Sequence, residues 1–265
     1  MPIFASDILY EMKQITALLF ILCLSLMPAE AQINWGKAMS GIWKAGQAMT
    51  ISEEDLAKIV AEEVAYMDKS NKVCSASNAY SKRLTNLVKG IDSAEGLKLN
   101  FKVYKTTEAN AFACPDGSVR VFSGLMDALS DDELLGVLGH EIGHVALKHS
   151  YKAWKEALLR SAASDALGAV SDTWAGLSDS FLGDLGSMVL SASHSKYQET
   201  KADDYGYDFL KRHDRDPRAM ISLFKKLKSL SKKNDSRYAK LLKAFSSHPD
   251  YDQRISHLEE RAKAE

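Results

Sequence analysis

The chain has 265 residues, of which 46% are apolar and 26% charged, and its formal net charge is −1 at pH 7. This composition excludes a disordered chain. The nearly equal numbers of basic and acidic residues give no sign of the excess positive charge that nucleic-acid binding requires. Only three cysteines are present, too few for a disulfide scaffold and in no spacing typical of a thiolate metal site. Composition therefore indicates a globular protein with one core, and it names no activity.

The N-terminal segment has the pattern of a secretory signal peptide. Lys13 precedes an apolar run over residues 15–27, and a small-residue cleavage motif, Ala29-Glu30-Ala31, follows that run. The run is shorter than the roughly 20 residues that a membrane-spanning helix requires. We therefore predict that residues 1–31 are a signal peptide and that the mature protein is exported.

Neighbouring residues refine this prediction. Acidic residues before Met12 are unusual in a signal peptide, so we interpret Met12 as the translation start. Leu22 precedes Cys23, whereas lipid attachment needs a small residue there, so we do not predict a lipoprotein. Removal of the signal peptide leaves Cys74 and Cys114, and an oxidising compartment favours a disulfide between them over two unpaired thiols.

The remaining chain is predicted to form one domain over residues 51–265, preceded by an N-terminal arm at residues 32–50. Helical periodicity dominates this domain and begins with a helix that Ser52 caps. No linker or repeat divides it. The fold class is therefore mainly helical.

A short region between these helices has the period-two pattern of strands. Residues 97–105 alternate apolar and polar side chains, which predicts a strand with one exposed face that includes Tyr104. Pro115-Asp116-Gly117 then predicts a hairpin turn between strands at residues 110–114 and 118–122. These strands give an α+β fold with a small antiparallel sheet.

Two later segments differ in side-chain size. Ser130 and Glu133 form a capping box that opens an apolar helix through about Ser150, and such a helix belongs in the core. Residues 161–193 are instead rich in Ala, Gly and Ser. They are either closely packed or frayed helices, or a mobile lid beside a site.

The apolar helix carries an HExxH motif, His140-Glu141-Ile142-Gly143-His144. Histidines at i and i+4 stand on one helix face and can share a zinc ion, and the intervening Glu141 can reach a zinc-bound water. With only seven histidines in the chain, a chance match is expected about once in a hundred such sequences. A polar trio in an apolar helix is costly to bury, and a metal ion satisfies it better than backbone hydrogen bonds alone.

A catalytic zinc site needs a third protein ligand. The metzincin pattern is excluded, because it requires Gly and His where this chain has Leu147 and Ser150. On a continuous helix His149 would lie about 140° from His144 and face elsewhere. Glu199 is the better candidate, although an exposed acidic helix face remains an alternative explanation for it.

Asp203 lies one helical turn after Glu199, on the same small-residue stripe. In this position it can accept a hydrogen bond from a ligand histidine and fix its tautomer, while Glu199 binds zinc.

These motifs resemble a known enzyme family. HExxH, followed by E-x-x-A-D-x-x-G at residues 199–206 and preceded by NAFA at 110–113 and SGLMD at 123–127, is similar to the gluzincin metallopeptidases of family M48. That family includes HtpX, the CAAX prenyl proteases, BepA and LoiP, and the likeness is greatest to LoiP-type periplasmic proteases. It implies a zincin-like domain, with the small sheet beside the active-site helix, and a periplasmic location.

The resemblance also implies residue roles. It gives one zinc ion per chain, held by His140, His144 and Glu199, with Glu141 as general base and Asp203 as the neighbouring acid. The segment with His248, Pro249 and Arg254 resembles the HPxxxxR segment of the family. This places His248 near the zinc or the oxyanion, and Arg254 in the cleft.

The resemblance implies a substrate-binding strand as well. Its residues pair with an extended substrate through backbone hydrogen bonds, with little sequence preference. They are Asn110, Ala111, Phe112 and Ala113.

The predicted function is a zinc-dependent endopeptidase that hydrolyses unfolded or misfolded envelope proteins. Association with outer-membrane assembly or with other envelope proteases follows from the same resemblance. The alternative is a zinc-containing, chaperone-like envelope protein whose peptidase activity is latent or absent. Peptide deformylase also uses HExxH, but neither Cys74 nor Cys114 has the Gly-Cys context that its cysteine ligand requires.

Overall fold

The computed structural model describes residue 46 and residues 49–165, 179–233, 238–248 and 250–265. The predicted signal peptide, nearly all of the predicted arm and the middle of the small-residue segment lie outside the described residues.

The described part of the chain is mainly helical, which confirms the α+β class. Its helices are α1 (Glu53–Ser70), α2 (Ala79–Leu87), α3 (Ser123–Ala128), α4 (Asp131–Ala146), α5 (His149–Asp165), α6 (Asp179–Leu190), α7 (Lys196–Arg212), α8 (Arg218–Lys233), α9 (Ala239–Ala244) and α10 (Tyr251–Ala264). Its strands are β1 (Ser93–Ala94), β2 (Leu97–Lys98), β3 (Asn100–Tyr104), β4 (Ala111–Ala113) and β5 (Ser118–Phe122).

The main sheet has the strand order β3-β5-β4. The predicted hairpin is confirmed, because β4 and β5 pair antiparallel. However, β3 and β5 pair parallel, so the sheet is mixed and not purely antiparallel. The reason is that the chain reverses direction twice, once between β3 and β4 and again at the hairpin turn. This places β5 in the centre and β4 at an edge of the three strands.

Both faces of the sheet are covered, because alternate side chains enter two different apolar clusters. Val103 and Ala111 belong to a cluster with α4, α7, α8 and α10. Tyr104 and Phe112 belong to a second cluster with α1, α5 and α6. The predicted exposed face is therefore wrong for Tyr104, which is only 1% exposed.

The site helix α4 begins as predicted and ends earlier. Ser130 accepts a hydrogen bond from the backbone of Glu133, whose side chain accepts one from the backbone of Ser130. Instead of continuing to Ser150, α4 ends at Ala146, and Lys148 adopts a left-handed φ of 61° before α5 starts. The chain therefore changes direction just after the HExxH motif.

The predicted disulfide is contradicted, because Cys74 and Cys114 are free thiols. The Cys74 amide donates to the Val103 carbonyl, on the side of β3 that faces away from β5. Cys114 directly follows β4, on the opposite side of β5. Three strand spacings of about 4.8 Å thus separate the cysteines, whereas a disulfide requires Cα atoms within about 7 Å.

Among the described residues, no helix combines the length and the apolar character that crossing a membrane would need.

Candidate metal centre

Helices α4 and α7 cross at glycines, which brings their polar residues together. A Cβ atom added at Gly143 of α4 would lie 2.9 Å from the Cβ of Tyr205 of α7. One added at Gly206 of α7 would lie 3.1 Å from the backbone nitrogen of His140. Because glycine has no Cβ, the two helices approach closely enough for side chains from both to share one site.

Four side chains converge at this crossing. His140 and His144 come from α4, Glu199 comes from α7, and His248 comes from the segment before α10; one nitrogen or oxygen atom of each lies within 4.8 Å of the others. The Nε2 atoms of His140 and His144 are 3.0 Å apart. Each also lies 3.5 Å from an oxygen of Glu199. The structure thus brings together all three predicted metal ligands.

Asp203 lies directly behind His140. Its Oδ1 is 2.9 Å from Nδ1 of His140, and the carboxylate is fully buried. Burial alone would raise the pKa of Asp203, but the adjacent Arg254 guanidinium holds that pKa below its ordinary value. The ionised carboxylate can accept the Nδ1 proton of His140, which leaves Nε2 of that ring free to bind a metal.

Arg254 of α10 contacts both α7 and the segment that contains His248. Its Nε donates to Oδ2 of Asp203 over 2.7 Å, and its Nη1 donates to the backbone carbonyl of His248 over 3.1 Å. Nη1 also lies 3.2 Å from Oε2 of Glu199. The side chain of Arg254 is 4% exposed, so this charge is paired inside the protein and does not line an open cleft wall.

His248 lies within the ligand cluster. Its Nδ1 is 2.9 Å from Oε1 of Glu199 and 3.3 Å from Nε2 of His140. Burial would lower the pKa of His248, but its contact with Glu199 and the nearby charge of Glu141 raise that pKa above the ordinary value. The residue is therefore poised either to bind a metal or to present a cation beside the ligands.

Glu141 stands next to the ligands and does not join them. Its Oε1 is 3.8 Å from Nε2 of His248, and its side chain is 14% exposed. Burial raises the pKa of Glu141, while the neighbouring His248 and His140 oppose that rise. A carboxyl group with a raised pKa exchanges protons more readily near neutral pH, which suits a general base.

The donor set fits a metal ion. Two imidazoles and one carboxylate form the ligand set of many catalytic zinc sites, in which a fourth position stays open. Without a metal, the lone pairs of two Nε2 atoms 3.0 Å apart and of a buried carboxylate would crowd one small volume. A divalent cation can accept these lone pairs and offset the negative charge of the carboxylate. Binding it at Nε2 of His140 leaves the hydrogen bond between Nδ1 of that ring and Asp203 intact.

Comparison with known proteins identifies the family. Residues 75–262 match the family model for peptidase family M48. The chain belongs to peptidase family M48. It is 38% identical over 230 residues to the metalloprotease YcaL of Escherichia coli, which covers 86% of this chain and 88% of YcaL. It is 34% identical over 223 residues to the metalloprotease LoiP of the same organism, which covers 84% of this chain and 86% of LoiP.

A more distant relative is the putative beta-barrel assembly-enhancing protease of Vibrio cholerae. It is 29% identical over 230 residues, which covers 83% of this chain and 46% of that protein. Together with the His/His/Glu cluster, these relatives identify this M48 chain as a metal-dependent protease.

The predicted substrate strand of this M48 protein borders the site. Residues 110–113 line one cleft together with Glu141 and His248. One edge of β4 pairs with β5, and no described strand pairs with the other edge. A free edge provides backbone donors and acceptors for an added strand. This edge can therefore hold an extended chain beside Glu141.

His149 and His194, neither of them a predicted site residue, complete the surroundings of His144. His149 Nδ1 is 3.1 Å from His144 Nδ1, although the prediction of a continuous helix placed His149 on another face. His194 stacks on the His144 ring, with centroids 3.9 Å apart, and burial lowers the pKa of His194 to about 4. No motif marks either residue, because both are positioned by chain turns outside α4 and α7.

Proposed function

We propose that this protein is a zinc-dependent endopeptidase that hydrolyses peptide bonds of unfolded or misfolded proteins in the periplasm. The observation that carries the proposal is the convergence of His140, His144 and Glu199 beside Glu141, in a cleft bordered by the free edge of β4. The predicted signal peptide supports export. The name of the Vibrio cholerae relative supports association with outer-membrane protein assembly.

In this proposal, the chain's own residues position the substrate and move the proton. The free edge of β4 binds the substrate backbone, which requires an extended chain and so selects unfolded segments. Zinc held by His140, His144 and Glu199 would supply the Lewis acidity that makes a water molecule nucleophilic near neutral pH. Glu141 accepts the proton of the attacking water and donates it to the leaving amine.

The experiment compares Glu141→Gln with the wild-type protein and with Glu62→Gln, which changes an exposed glutamate on α1. Each processed protein is incubated with casein, with and without a chelator, and its zinc content is measured. We expect Glu141→Gln to keep one zinc per chain and to lose at least 10²-fold of the cleavage rate, because an amide cannot take up the proton. Cleavage by Glu141→Gln at the wild-type rate would refute the role of Glu141.

One observation favours a second function, a zinc-containing chaperone-like protein with latent activity. His248 lies close enough to His140 and Glu199 to act as a fourth protein ligand, and four protein ligands are typical of closed structural zinc sites. If this function is correct, the wild-type protein binds zinc and prevents aggregation of an unfolded substrate, and chelator-sensitive cleavage of casein is absent. Chelator-sensitive cleavage by the wild-type protein would exclude it.

A further inference from the structure

The two histidines of the HExxH motif differ in the partner of Nδ1, the ring nitrogen that faces away from the metal cluster. Nε2 of each faces the metal cluster, since these atoms are 3.0 Å apart and each lies 3.5 Å from Glu199. Nδ1 of His140 faces the Asp203 carboxylate. Nδ1 of His144 instead faces Nδ1 of His149, at 3.1 Å. The second contact involves a residue outside the predicted site.

The turn after α4 creates this contact. α4 ends at Ala146, and the left-handed conformation of Lys148, with φ of 61°, redirects the chain so that His149 becomes the first residue of α5. The His149 ring then stands at 64° to the His144 ring, with centroids 5.1 Å apart. A helix continued through this position would have placed His149 about 140° away from His144.

A hydrogen bond between two ring nitrogens requires that one carries a proton and the other does not. If Nε2 of His144 binds a metal, the proton of its neutral ring must sit on Nδ1. Nδ1 of His149 must then be the acceptor, and its own proton sits on Nε2. His149 also lines a polar cavity of about 340 Å³ with Glu156 and Gln198, whose side-chain oxygens are acceptors of the kind that this proton needs.

We propose that His149 is a positioning residue for the metal ligand His144: its unprotonated Nδ1 accepts the Nδ1 proton of His144 and so directs Nε2 of His144 at the metal. The proposal rests on the metal-binding part of the proposed function. It gives His144 a neutral acceptor where His140 has a charged one, Asp203. Such outer partners typically contribute 10–100-fold to metal affinity.

The test uses two substitutions at one position. His149→Phe keeps a ring and removes the acceptor, whereas the amide oxygen of His149→Asn reaches about as far as Nδ1 and can accept the same proton. The zinc affinity of each full-length processed protein is measured by competition with a chelator of known affinity. We expect His149→Phe to bind zinc about 10–100-fold more weakly than the wild-type protein, and His149→Asn to stay within about threefold of it.

A second readout separates positioning from general structure. The visible absorption of the Co²⁺-substituted proteins reports the ligand field, and we expect His149→Phe to alter it and His149→Asn to preserve it. Unfolding of the metal-free proteins is measured as a control for folding. Wild-type zinc affinity in His149→Phe, or equal losses in the Phe and Asn variants, would overturn the proposal.

This outcome can be told apart from failure of the proposed function. Zinc affinity and the Co²⁺ spectrum are measured without substrate, so they report on His149 even if casein is not cleaved. A wild-type protein that binds zinc and lacks peptidase activity would refute the endopeptidase function. In that case, weaker binding in His149→Phe with recovery in His149→Asn would still support the positioning role.

Discussion

Glu63 of α1 carries a buried carboxylate without a hydrogen-bond partner among the described residues. The residue is 1% exposed, and neither of its oxygen atoms is satisfied. It packs against α6, since a Cβ added at Gly186 would lie 2.3 Å from Oε1 of Glu63. Burial raises the pKa of Glu63 from an ordinary value of 4.5 to about 7. Glu63→Gln removes the titration and keeps the shape of the side chain.

The size and the sign of the effect follow from this pKa. The gap between 4.5 and about 7 corresponds to about 3 kcal/mol, at about 1.4 kcal/mol for each pH unit. Because the folded state holds this proton more tightly, the contribution of Glu63 to stability is fully present below pH 4.5 and is lost as the pH rises through about 7. The stability of Glu63→Gln relative to the wild-type protein should therefore increase by about 3 kcal/mol between pH 4.5 and pH 8.

The assay is urea unfolding of the metal-free proteins at intervals between pH 4.5 and pH 8. The measured quantity is the difference in unfolding free energy between variant and wild type. The pH-dependent contribution of the site histidines is the same in both proteins and drops out of this difference. Glu62→Gln, which removes the same charge from the adjacent exposed residue, serves as the control and should not show this rise, because it involves no buried carboxylate. A constant difference for Glu63→Gln would show that the carboxylate is ionised in the folded protein at neutral pH, and would refute this reasoning.

Three further predictions concern the site and the cysteines. Arg254→Gln should destabilise the protein by about 3–5 kcal/mol in urea unfolding, because it leaves the buried carboxylate of Asp203 without its charge partner. Asp203→Asn should weaken zinc binding about 10–100-fold in chelator competition, since an amide is a poorer acceptor for the Nδ1 proton of His140. Mass spectrometry should find both Cys74 and Cys114 alkylated in denatured protein that was never reduced, and unmodified cysteines would instead indicate a disulfide.

The ligand set could be predicted from the sequence because its parts obey helical spacing. His140 and His144 are one turn apart on α4, and Glu199 and Asp203 are one turn apart on α7. Spacing fixes which side chains share a face within a helix, but it does not say which helices meet. The need for a third ligand, together with the resemblance, predicts that Glu199 joins the HExxH histidines, and α4 and α7 do meet in the structure.

The buried face of the sheet could not be predicted in this way. Alternation along residues 97–105 shows that the two faces of a strand differ, but it cannot show that a helix covers the more polar face. In the structure, Asp68 of α1 accepts hydrogen bonds from the Tyr104 hydroxyl over 2.7 Å and from Nε of Arg120 over 2.8 Å. Tyr104 and Arg120 are therefore buried because a carboxylate distant in the sequence provides their partner.

The position of His149 was missed for a related reason. Helix ends are usually signalled by glycine in the left-handed conformation, and here Lys148 takes that conformation instead. The periodic pattern continues through the turn, so a continuous helix was the natural prediction. The helix ends at Ala146 and not at the predicted Ser150, and this shift of four residues was enough to hide a contact with a metal ligand.

The glycine of the HExxH motif gives a final prediction that joins packing to metal binding. A Cβ in Gly143→Ala would lie 2.9 Å from the Cβ of Tyr205, well inside the 3.5–4.0 Å of an unstrained carbon contact, so α4 and α7 must separate. We expect a loss of about 1–3 kcal/mol in urea unfolding of the metal-free protein. Zinc affinity should also fall, because the ligands are divided between the two separating helices.

The matched control is Gly183→Ala in α6, where an added Cβ would lie 3.5 Å from the Tyr66 hydroxyl, an ordinary contact. Since alanine favours the helix over glycine, this variant should gain about 0.5–1 kcal/mol and keep its zinc affinity. If Gly143→Ala also kept wild-type zinc affinity, then the close approach of α4 and α7 would not be what holds the ligands in place. The HExxH glycine would then matter for packing alone, and the geometry of the site would depend on Asp203 and Arg254, which brace α7 against α10.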